Sequence, residues 1–227
     1  MTNDARGKAR RVFGADEAGR GPILGPMAIS VVVLDRGAAI SLRRRGVTDS
    51  KFFGAGEDAR ARRAELAENI RAKAVGHAIQ LIDVDVIDQH VYRGLLNALE
   101  RKVVHDLLQR LGACEADRIV CDGKLVFRPL RTVYAQLEAV DNGESAHVSV
   151  AAASILAKDA RDKAFALIAA RYESEFGPVT GGGYLNAGTR RFLDAYKARH
   201  GGLPPEARRS WGAEKIEDEG DGTLSLF

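Results

Sequence analysis

The sequence lacks several features that would place it in a special class of protein. It has two cysteines, Cys114 and Cys121, in 227 residues. Neither has metal-ligand neighbours along the chain, so we expect both to be buried free thiols in a reducing compartment. No apolar run approaches the roughly 18 residues of a membrane span, and no signal-peptide pattern opens the chain. We therefore expect a cytoplasmic protein that does not bind membranes.

The composition is that of an ordinary globular protein. Apolar residues make up 45% and charged residues 29%, which excludes wholesale disorder. The 34 basic residues exceed the 31 acidic ones by three, a charge that is compatible with nucleic-acid binding but too small to argue for it. The length allows about one to one and a half domains with a substantial core.

Hydrophobic periodicity alternates between strand and helix along the chain. The predicted strands are 11–16, 28–35, 76–83, 118–122 and 132–140, and the predicted helices are 57–74, 85–111, 148–172 and 188–199. Helices between strands imply an α/β fold in which a sheet is covered on both faces. We expect one domain over residues 1–211, whose C-terminal helical part covers about 172–211, followed by a flexible acidic tail at 212–227.

Acidic residues near the ends of predicted strands are the first candidates for chemistry. Asp16 and Glu17 end the first strand, and Asp122 ends the fourth. Neighbouring strand residues point to opposite faces, so Asp16 and Glu17 meet one ion only if the strand ends or bulges there. Asp141 and Glu144 precede a predicted helix, where an acid favoured by the helix dipole is the alternative explanation.

Carboxylates that converge without histidine or cysteine select Mg²⁺ or Mn²⁺. Such a cluster suits phosphodiester hydrolysis with two metal ions, which activate water and stabilise the leaving oxygen. The alternative at each position is an ordinary loop acid or helix cap, and the spacing alone does not choose between them. The five histidines show no ligand spacing, and we interpret them as bystanders.

Several segments, in family order, resemble type 2 ribonuclease H (ribonuclease HII) of bacteria. They are DEAGRGP at 16–22, DSK at 49–51, CDG at 121–123, AAASILAK at 151–158, GGGYLNAGTRRF at 181–192 and ARRSW at 207–211. The resemblance implies a ribonuclease H-like mixed sheet flanked by helices, with a small C-terminal helical part. It also implies hydrolysis on the 5′ side of ribonucleotides, in RNA–DNA hybrids and at single ribonucleotides in duplex DNA, which leaves 5′-phosphate and 3′-hydroxyl ends. RNA primer removal during replication and ribonucleotide repair are both consistent with that chemistry.

The same resemblance implies a set of metal ligands for two divalent ions, Mg²⁺ or Mn²⁺. Asp16, Glu17 and Asp122 match three ligands of the family. The fourth is usually an aspartate ten residues before the serine of the SILAK segment; here that position holds Glu144, with Asp141 as the alternative. The extra methylene of glutamate matters, because a misplacement of about 1 Å can cost about 10²-fold in rate.

Substrate contacts are implied by the resemblance as well. Gly19, Arg20 and Gly21 would form the loop that contacts the ribose 2′-OH, the group that distinguishes RNA from DNA. Tyr184 would stack near the deoxyribose that follows the RNA–DNA junction. Four further residues would hold phosphates, and they are Ser50, Lys51, Ser154 and Lys158; without the resemblance, Lys158 would be interpreted as a solvated helix residue.

The last five residues, TLSLF at 223–227, resemble the bacterial sliding-clamp-binding peptide, whose usual form is Gln-Leu-Ser/Asp-Leu-Phe. Leu224, Leu226 and Phe227 are the expected anchors, and Thr223 in place of glutamine predicts reduced affinity. The alternative is that the tail packs onto its own domain. A second hypothesis for the whole chain is a low-activity paralogue that binds hybrids or junctions and is recruited by the clamp. We expect a monomer, because no apolar surface stripe stands out.

Overall fold

A computed structural model describes residues 11–48, 54 and 56–211 of the chain. Its five strands are β1 (Val12–Ala18), β2 (Met27–Leu34), β3 (Gly76–Ile82), β4 (Arg118–Asp122) and β5 (Leu137–Val140). They form one sheet in the order β3-β2-β1-β4-β5. β1 is antiparallel to β2 and parallel to β4, and β4 is parallel to β5. The predicted mixed sheet of an α/β protein is confirmed.

Helices flank this sheet. Those in the described part of the chain are α1 (Arg36–Arg44), α2 (Glu57–Lys73), α3 (Val84–Val91), α4 (Leu96–Arg110), α5 (Lys124–Phe127), α6 (Gly143–Ala146), α7 (Val148–Phe176) and α8 (Ala187–His200). Residues of α1, α2 and α7 pack with β2 in one apolar cluster. All eight residues of β2 are buried, as predicted for a β-branched strand covered on both faces. None of the described helices is long and apolar enough to cross a membrane.

Three details of the predicted secondary structure were wrong. α1 was not predicted, because it is short, carries Gly37 in its first turn and buries one residue, Leu42. The helix predicted at 85–111 is two helices, since Gly94 between them adopts a φ of 67° that ends the first. The strand predicted at 132–140 begins at Leu137, after a 3₁₀ turn over Arg128–Thr132. Cys121 is buried as expected, whereas Cys114 is exposed.

Gly14 lets α7 pack directly on β1. A Cβ atom at Gly14 would lie 2.1 Å from the carbonyl carbon of Ser149 and 2.4 Å from the amide nitrogen of Val150. Contacts that short do not occur, so the backbone of the first turn of α7 lies where a side chain would otherwise be. Because residues two apart in a strand share a face, Asp16 lies on the same side of the sheet as this contact.

The chain divides into two compact units. The first contains the described residues of Met1–Ala18, Ala28–Gln80 and Glu100–Ala160, and the second those of Gly19–Met27, Leu81–Leu99 and Arg161–Phe227. In the second unit, rings of α7 and α8 form an aromatic cluster that includes Tyr172, Phe176, Phe192 and Tyr196. The last segment of the second unit begins within α7, and the expected C-terminal helical part at about 172–211 stays a prediction.

Candidate functional site

Two acids are brought to neighbouring positions by the pairing of β1 with β4. The parallel register runs from Val12 beside Arg118 to Ala15 beside Cys121. One step further along this register, Asp16 is level with Asp122. Both residues lie near the carboxyl ends of their strands, where open α/β sheets usually place their sites.

The environment of Asp16 is unfavourable to its negative charge. The residue is 7% exposed. Burial raises the pKa of Asp16 well above its ordinary value, and the charges of Glu17 and Asp122 raise it further, while a hydrogen bond with Ser154 and the charge of Lys158 lower it. A cation beside this carboxylate would offset both the burial and the repulsion.

Glu144 joins this group from α6, the single turn that follows β5. It is 4% exposed, and its Oε2 accepts a hydrogen bond of 2.9 Å from Ser154 Oγ. The same oxygen lies 3.4 Å from Lys158 Nζ. Ser154 and Lys158 are one turn apart on α7, so one face of that helix presents both. A buried carboxylate needs such partners, because burial without them would favour its neutral form.

The backbone before Glu144 separates it from Asp141, the alternative fourth carboxylate. Asn142 has a φ of 58° and is the one non-glycine residue in the described ranges with a positive φ. Gly143 follows, where a Cβ atom would lie 2.7 Å from a side-chain atom of β5. Asp141 is exposed, and its Oδ1 accepts a hydrogen bond of 2.9 Å from the first amide of α5. The structure therefore brings Glu144 to Ser154 and uses Asp141 as a helix cap.

Glu17 follows Asp16 in a regularly paired strand. β1 pairs with β2 through Ala18, so the strand does not bulge at these two acids. The charge of Glu17 nevertheless raises the pKa of Asp16, and the place of Glu17 among the metal ligands stays a prediction. Across the described ranges, no three His, Cys, Asp or Glu side chains lie close enough together to hold a metal ion as they stand. The donor chemistry of Asp16, Asp122 and Glu144 nevertheless fits a hard divalent cation, because these residues offer carboxylate oxygens alone.

The loop of Gly19, Arg20 and Gly21 belongs to the second unit. Gly19 has a φ of 82°, a conformation that favours glycine. The carbonyls of Gly19 and Arg20 accept hydrogen bonds of 2.6 and 2.8 Å from the guanidinium of Arg208. The side chain of Arg20 donates a hydrogen bond of 2.6 Å to Asn97 Oδ1 in the first turn of α4. Two carbonyls of this loop and the side chain of Arg20 are therefore held by hydrogen bonds.

Tyr184 lies beside the same loop. It is 55% exposed, and a Cβ atom at Gly21 would lie 3.6 Å from its Cε1. The preceding residue, Gly183, accepts hydrogen bonds of 3.0 and 3.1 Å from the amides of Ile23 and Leu24. Glycine is required at position 183, because a Cβ atom there would lie 2.3 Å from the Leu24 oxygen. The glycine-rich segment therefore packs against the residues that follow the loop, within the second unit.

Five predicted site residues lie outside the described part of the chain, namely Ser50, Lys51, Leu224, Leu226 and Phe227. Two contacts were missed by the sequence reasoning. Arg208 belongs to the ARRSW segment, whose chemistry was left unassigned because a pair of arginines gives no sign that one is buried. Asn97 gave no signal, because it was predicted to lie inside one long helix.

Similarity to known proteins covers most of the chain. A family model described as ribonuclease HII matches residues 13–213. A ribonuclease HII of Thermococcus sibiricus is 33% identical over 218 residues, which cover 92% of this chain and 92% of the relative. A ribonuclease HII of Acidovorax sp. is 35% identical over 202 residues, which cover 88% and 84%. Relatives from archaea match as well as the relative from Acidovorax. The similarity therefore supports the family, and the expected bacterial origin stays a prediction.

A solved structure shows the same relationship. The structure described as the PCNA:RNase HII complex from Archaeoglobus fulgidus is similar to this chain with a TM-score of 0.72 and 26% sequence identity. The match covers 88% of this chain and 94% of that one. The similarity therefore extends across most of both chains.

Proposed function

Since the chain belongs to the ribonuclease HII family and is a type 2 ribonuclease H, an endonuclease, we propose that it hydrolyses the phosphodiester bond on the 5′ side of ribonucleotides. Its substrates are RNA–DNA hybrids and duplex DNA that contains a single ribonucleotide, and its products end in 5′-phosphate and 3′-hydroxyl. The observation that carries this proposal is the group of acids around Asp16, a buried carboxylate near the negative charges of Glu17 and Asp122.

Four acids are the proposed ligands of two divalent cations, Mg²⁺ or Mn²⁺, and they are Asp16, Glu17, Asp122 and Glu144. When bound, the cations supply an activated water and positive charge at the leaving 3′ oxygen. Asp16 provides a desolvated carboxylate, whose charge is unfavourable until it is neutralised. Ser154 holds Glu144 through the 2.9 Å hydrogen bond, and this contact determines where the Glu144 carboxylate lies.

The proposed substrate contacts differ in what supports them. The loop of Gly19, Arg20 and Gly21 provides backbone groups to the 2′-OH, and the exposed ring of Tyr184 provides a surface for the next sugar. Lys158 has a side chain that is 32% exposed, so its ammonium can pair with Glu144 and also attract a phosphate. Phosphate contacts are proposed for Ser50 and Lys51 from the sequence alone.

Ser154 is the exception among the proposed phosphate contacts. The residue is completely buried, and its hydroxyl donates to Glu144. We therefore propose that Ser154 acts on the substrate through Glu144 and does not contact a phosphate itself.

The decisive test is cleavage of a labelled DNA duplex that carries one ribonucleotide, with Mg²⁺, with Mn²⁺ or with a chelator. We expect incision on the 5′ side of the ribonucleotide when a divalent cation is present, and none in Asp16→Asn. The matched control is Asp141→Asn, which changes an exposed acid and retains an acceptor for α5. Light scattering on the same preparation measures the expected monomer.

Other outcomes would point to other functions. Incision of the all-DNA duplex would indicate a different phosphotransfer enzyme on this fold. Tight binding of the ribonucleotide duplex without incision under any cation would indicate the low-activity binding paralogue.

We also propose that the C-terminal residues Leu224, Leu226 and Phe227 bind a sliding clamp. The peptide TLSLF supports this through its apolar anchors, and the similar chain from Archaeoglobus fulgidus was solved in a complex with PCNA. Clamp binding through a tail would raise the local concentration of the enzyme on DNA. The test compares clamp binding of the full chain with that of the double variant Leu226→Ala, Phe227→Ala. We expect loss of binding with unchanged cleavage of a short duplex; equal binding of both proteins would contradict the proposal.

A further inference from the structure

Arg208 is a buried arginine whose hydrogen bonds go to backbone carbonyls of one loop. The residue is completely buried. Nη2 and Nη1 donate to the carbonyls of Gly19 and Arg20, and Nε and Nη2 both donate to the carbonyl of Gly25, at distances of 3.0 and 2.9 Å. Burying a guanidinium is unfavourable unless its donors are satisfied. The three carbonyls therefore satisfy the donors of this one buried side chain.

Because peptide bonds are planar and trans, the same contacts also fix the direction of the amides on the other side of the loop. No described peptide bond is cis, and in a trans peptide the carbonyl and the following amide point in opposite directions. Because the Gly19 and Arg20 carbonyls point at Arg208, the amides of Arg20 and Gly21 point away from it. Successive amides that face one way form a concavity that suits an oxygen ligand.

Arg208 is itself held in place. Its backbone amide donates a hydrogen bond of 2.7 Å to the carbonyl of Ile23. The carboxylate of Asp88, which is 7% exposed, accepts hydrogen bonds from the amides of Arg209 and Ser210, at 2.8 and 3.1 Å, and from the Ser210 hydroxyl. Burial and the nearby charge of Arg161 lower the pKa of Arg208 to about 10, so the guanidinium is still charged at neutral pH.

We propose that Arg208 is a positioning residue for ribonucleotide recognition, because it fixes the direction of the Arg20 and Gly21 amides toward the 2′-OH. The inference rests on the proposed function, which assigns the 2′-OH to this loop. Arginine suits the task because three of its nitrogens donate at once in a fixed geometry, whereas lysine offers a single nitrogen.

The test measures how much one 2′-OH contributes to binding. Kd is measured by fluorescence anisotropy for two duplexes that are identical except for one 2′-OH, with Mg²⁺, in an Asp16→Asn parent that we expect to bind without cutting. Arg208→Lys and Arg208→Met are compared with Arg209→Met, which changes an exposed side chain in the same segment. Thermal unfolding of each variant is recorded in parallel.

We expect the ratio of the two Kd values to fall about tenfold in both Arg208 variants, which corresponds to one lost hydrogen bond. The Kd for all-DNA duplex should stay the same, and Arg209→Met should keep the parent ratio. A folded Arg208 variant that keeps the parent ratio, or that weakens both duplexes equally, would overturn the inference.

The outcomes also separate this inference from the function on which it rests. A parent protein that binds both duplexes equally would contradict the assignment of the loop to the 2′-OH. If Arg208→Met does not fold, the Kd ratio of Arg208→Lys decides whether Arg208 positions the loop. Lysine retains the charge and most of the volume but lacks the forked donors.

Discussion

Ser154 and Glu144 form a buried pair, in which the serine hydroxyl donates a hydrogen bond of 2.9 Å to a carboxylate ten residues earlier in the chain. The same serine lies within hydrogen-bonding reach of Asp16, whose pKa it lowers, and its one hydroxyl proton donates to one carboxylate at a time. One small side chain on α7 therefore interacts with two of the acids proposed to bind cations. Ser154 is completely buried, so it acts on these acids from the protein interior.

Replacing the serine should slow the reaction. In Ser154→Ala the Glu144 carboxylate loses the donor that holds it, and we expect kcat on the single-ribonucleotide duplex to fall about tenfold, equivalent to about 1.4 kcal/mol. The control is Ser145→Ala, which removes an exposed hydroxyl that bonds the Asn142 carbonyl. Full activity in Ser154→Ala would show that the pair does not position Glu144.

Shortening Glu144 should also reduce activity. Its Oε2 is the atom that meets Ser154 and Lys158, so Glu144→Asp withdraws the carboxylate from both partners. A displacement on the order of 1 Å predicts a loss of about 10²-fold in rate. Glu144→Gln retains the length of the side chain and loses its charge, so its rate measures the contribution of the charge alone. A faster Glu144→Asp enzyme would instead mean that the natural glutamate handicaps the site.

Removing the charge of Asp16 should stabilise the cation-free protein. Its pKa is raised in the folded state, so the ionised group opposes folding at neutral pH, and this penalty disappears as the pH falls below both pKa values. We expect Asp16→Asn to raise the free energy of unfolding by about 1 kcal/mol in chelator at pH 7, the usual size of a favourable substitution.

Urea unfolding of Asp16→Asn with and without Mg²⁺ completes this test. The wild type should gain stability from the cation by mass action, and the variant should gain less. Asp141→Asn serves as the control and should behave as the wild type in both conditions. A less stable Asp16→Asn in chelator would refute the idea that acid repulsion strains the site.

A methyl group at Gly14 should be strongly destabilising. The Cβ atom of Gly14→Ala would meet the backbone of Ser149 at 2.1 Å, which forces α7 away from β1 and costs about 3 kcal/mol. Gly202→Ala is a matched control, since nothing lies within 4 Å of a Cβ atom there. Chemical denaturation of both variants measures the difference, and equal stability would mean that α7 shifts at little cost.

The sequence was sufficient to predict most of the sheet. β2 and β4 were predicted because β-branched, apolar runs of strand length have few alternatives. α1 was missed because a single buried leucine, Leu42, gives no periodic signal, although Asp35 caps the helix by accepting a hydrogen bond from Ala38. Gly94 was the available sign that α3 and α4 are separate, since a glycine inside a helical pattern often ends it.

The candidate site was predictable as residue types and not as contacts. Acids at strand ends can be recognised in a sequence, and the pairing of β1 with β4 then brings Asp16 next to Asp122. The regular pairing of Glu17 with β2 could not be foreseen, because it depends on how far the hairpin extends. The role of Arg208 was also hidden, because its partners are carbonyls 183 to 189 residues away.

The close contact at Gly14 also limits how this position can vary among descendants of the gene. Every single-base change that alters a glycine codon introduces either a side chain or a stop. Because the atoms that such a side chain would meet belong to the backbone of Ser149 and Val150, no substitution at a contacting side chain can make room beforehand. Variation at Gly14 therefore depends on an earlier change that moves the start of α7, so the order in which mutations arise decides which sequences can be reached.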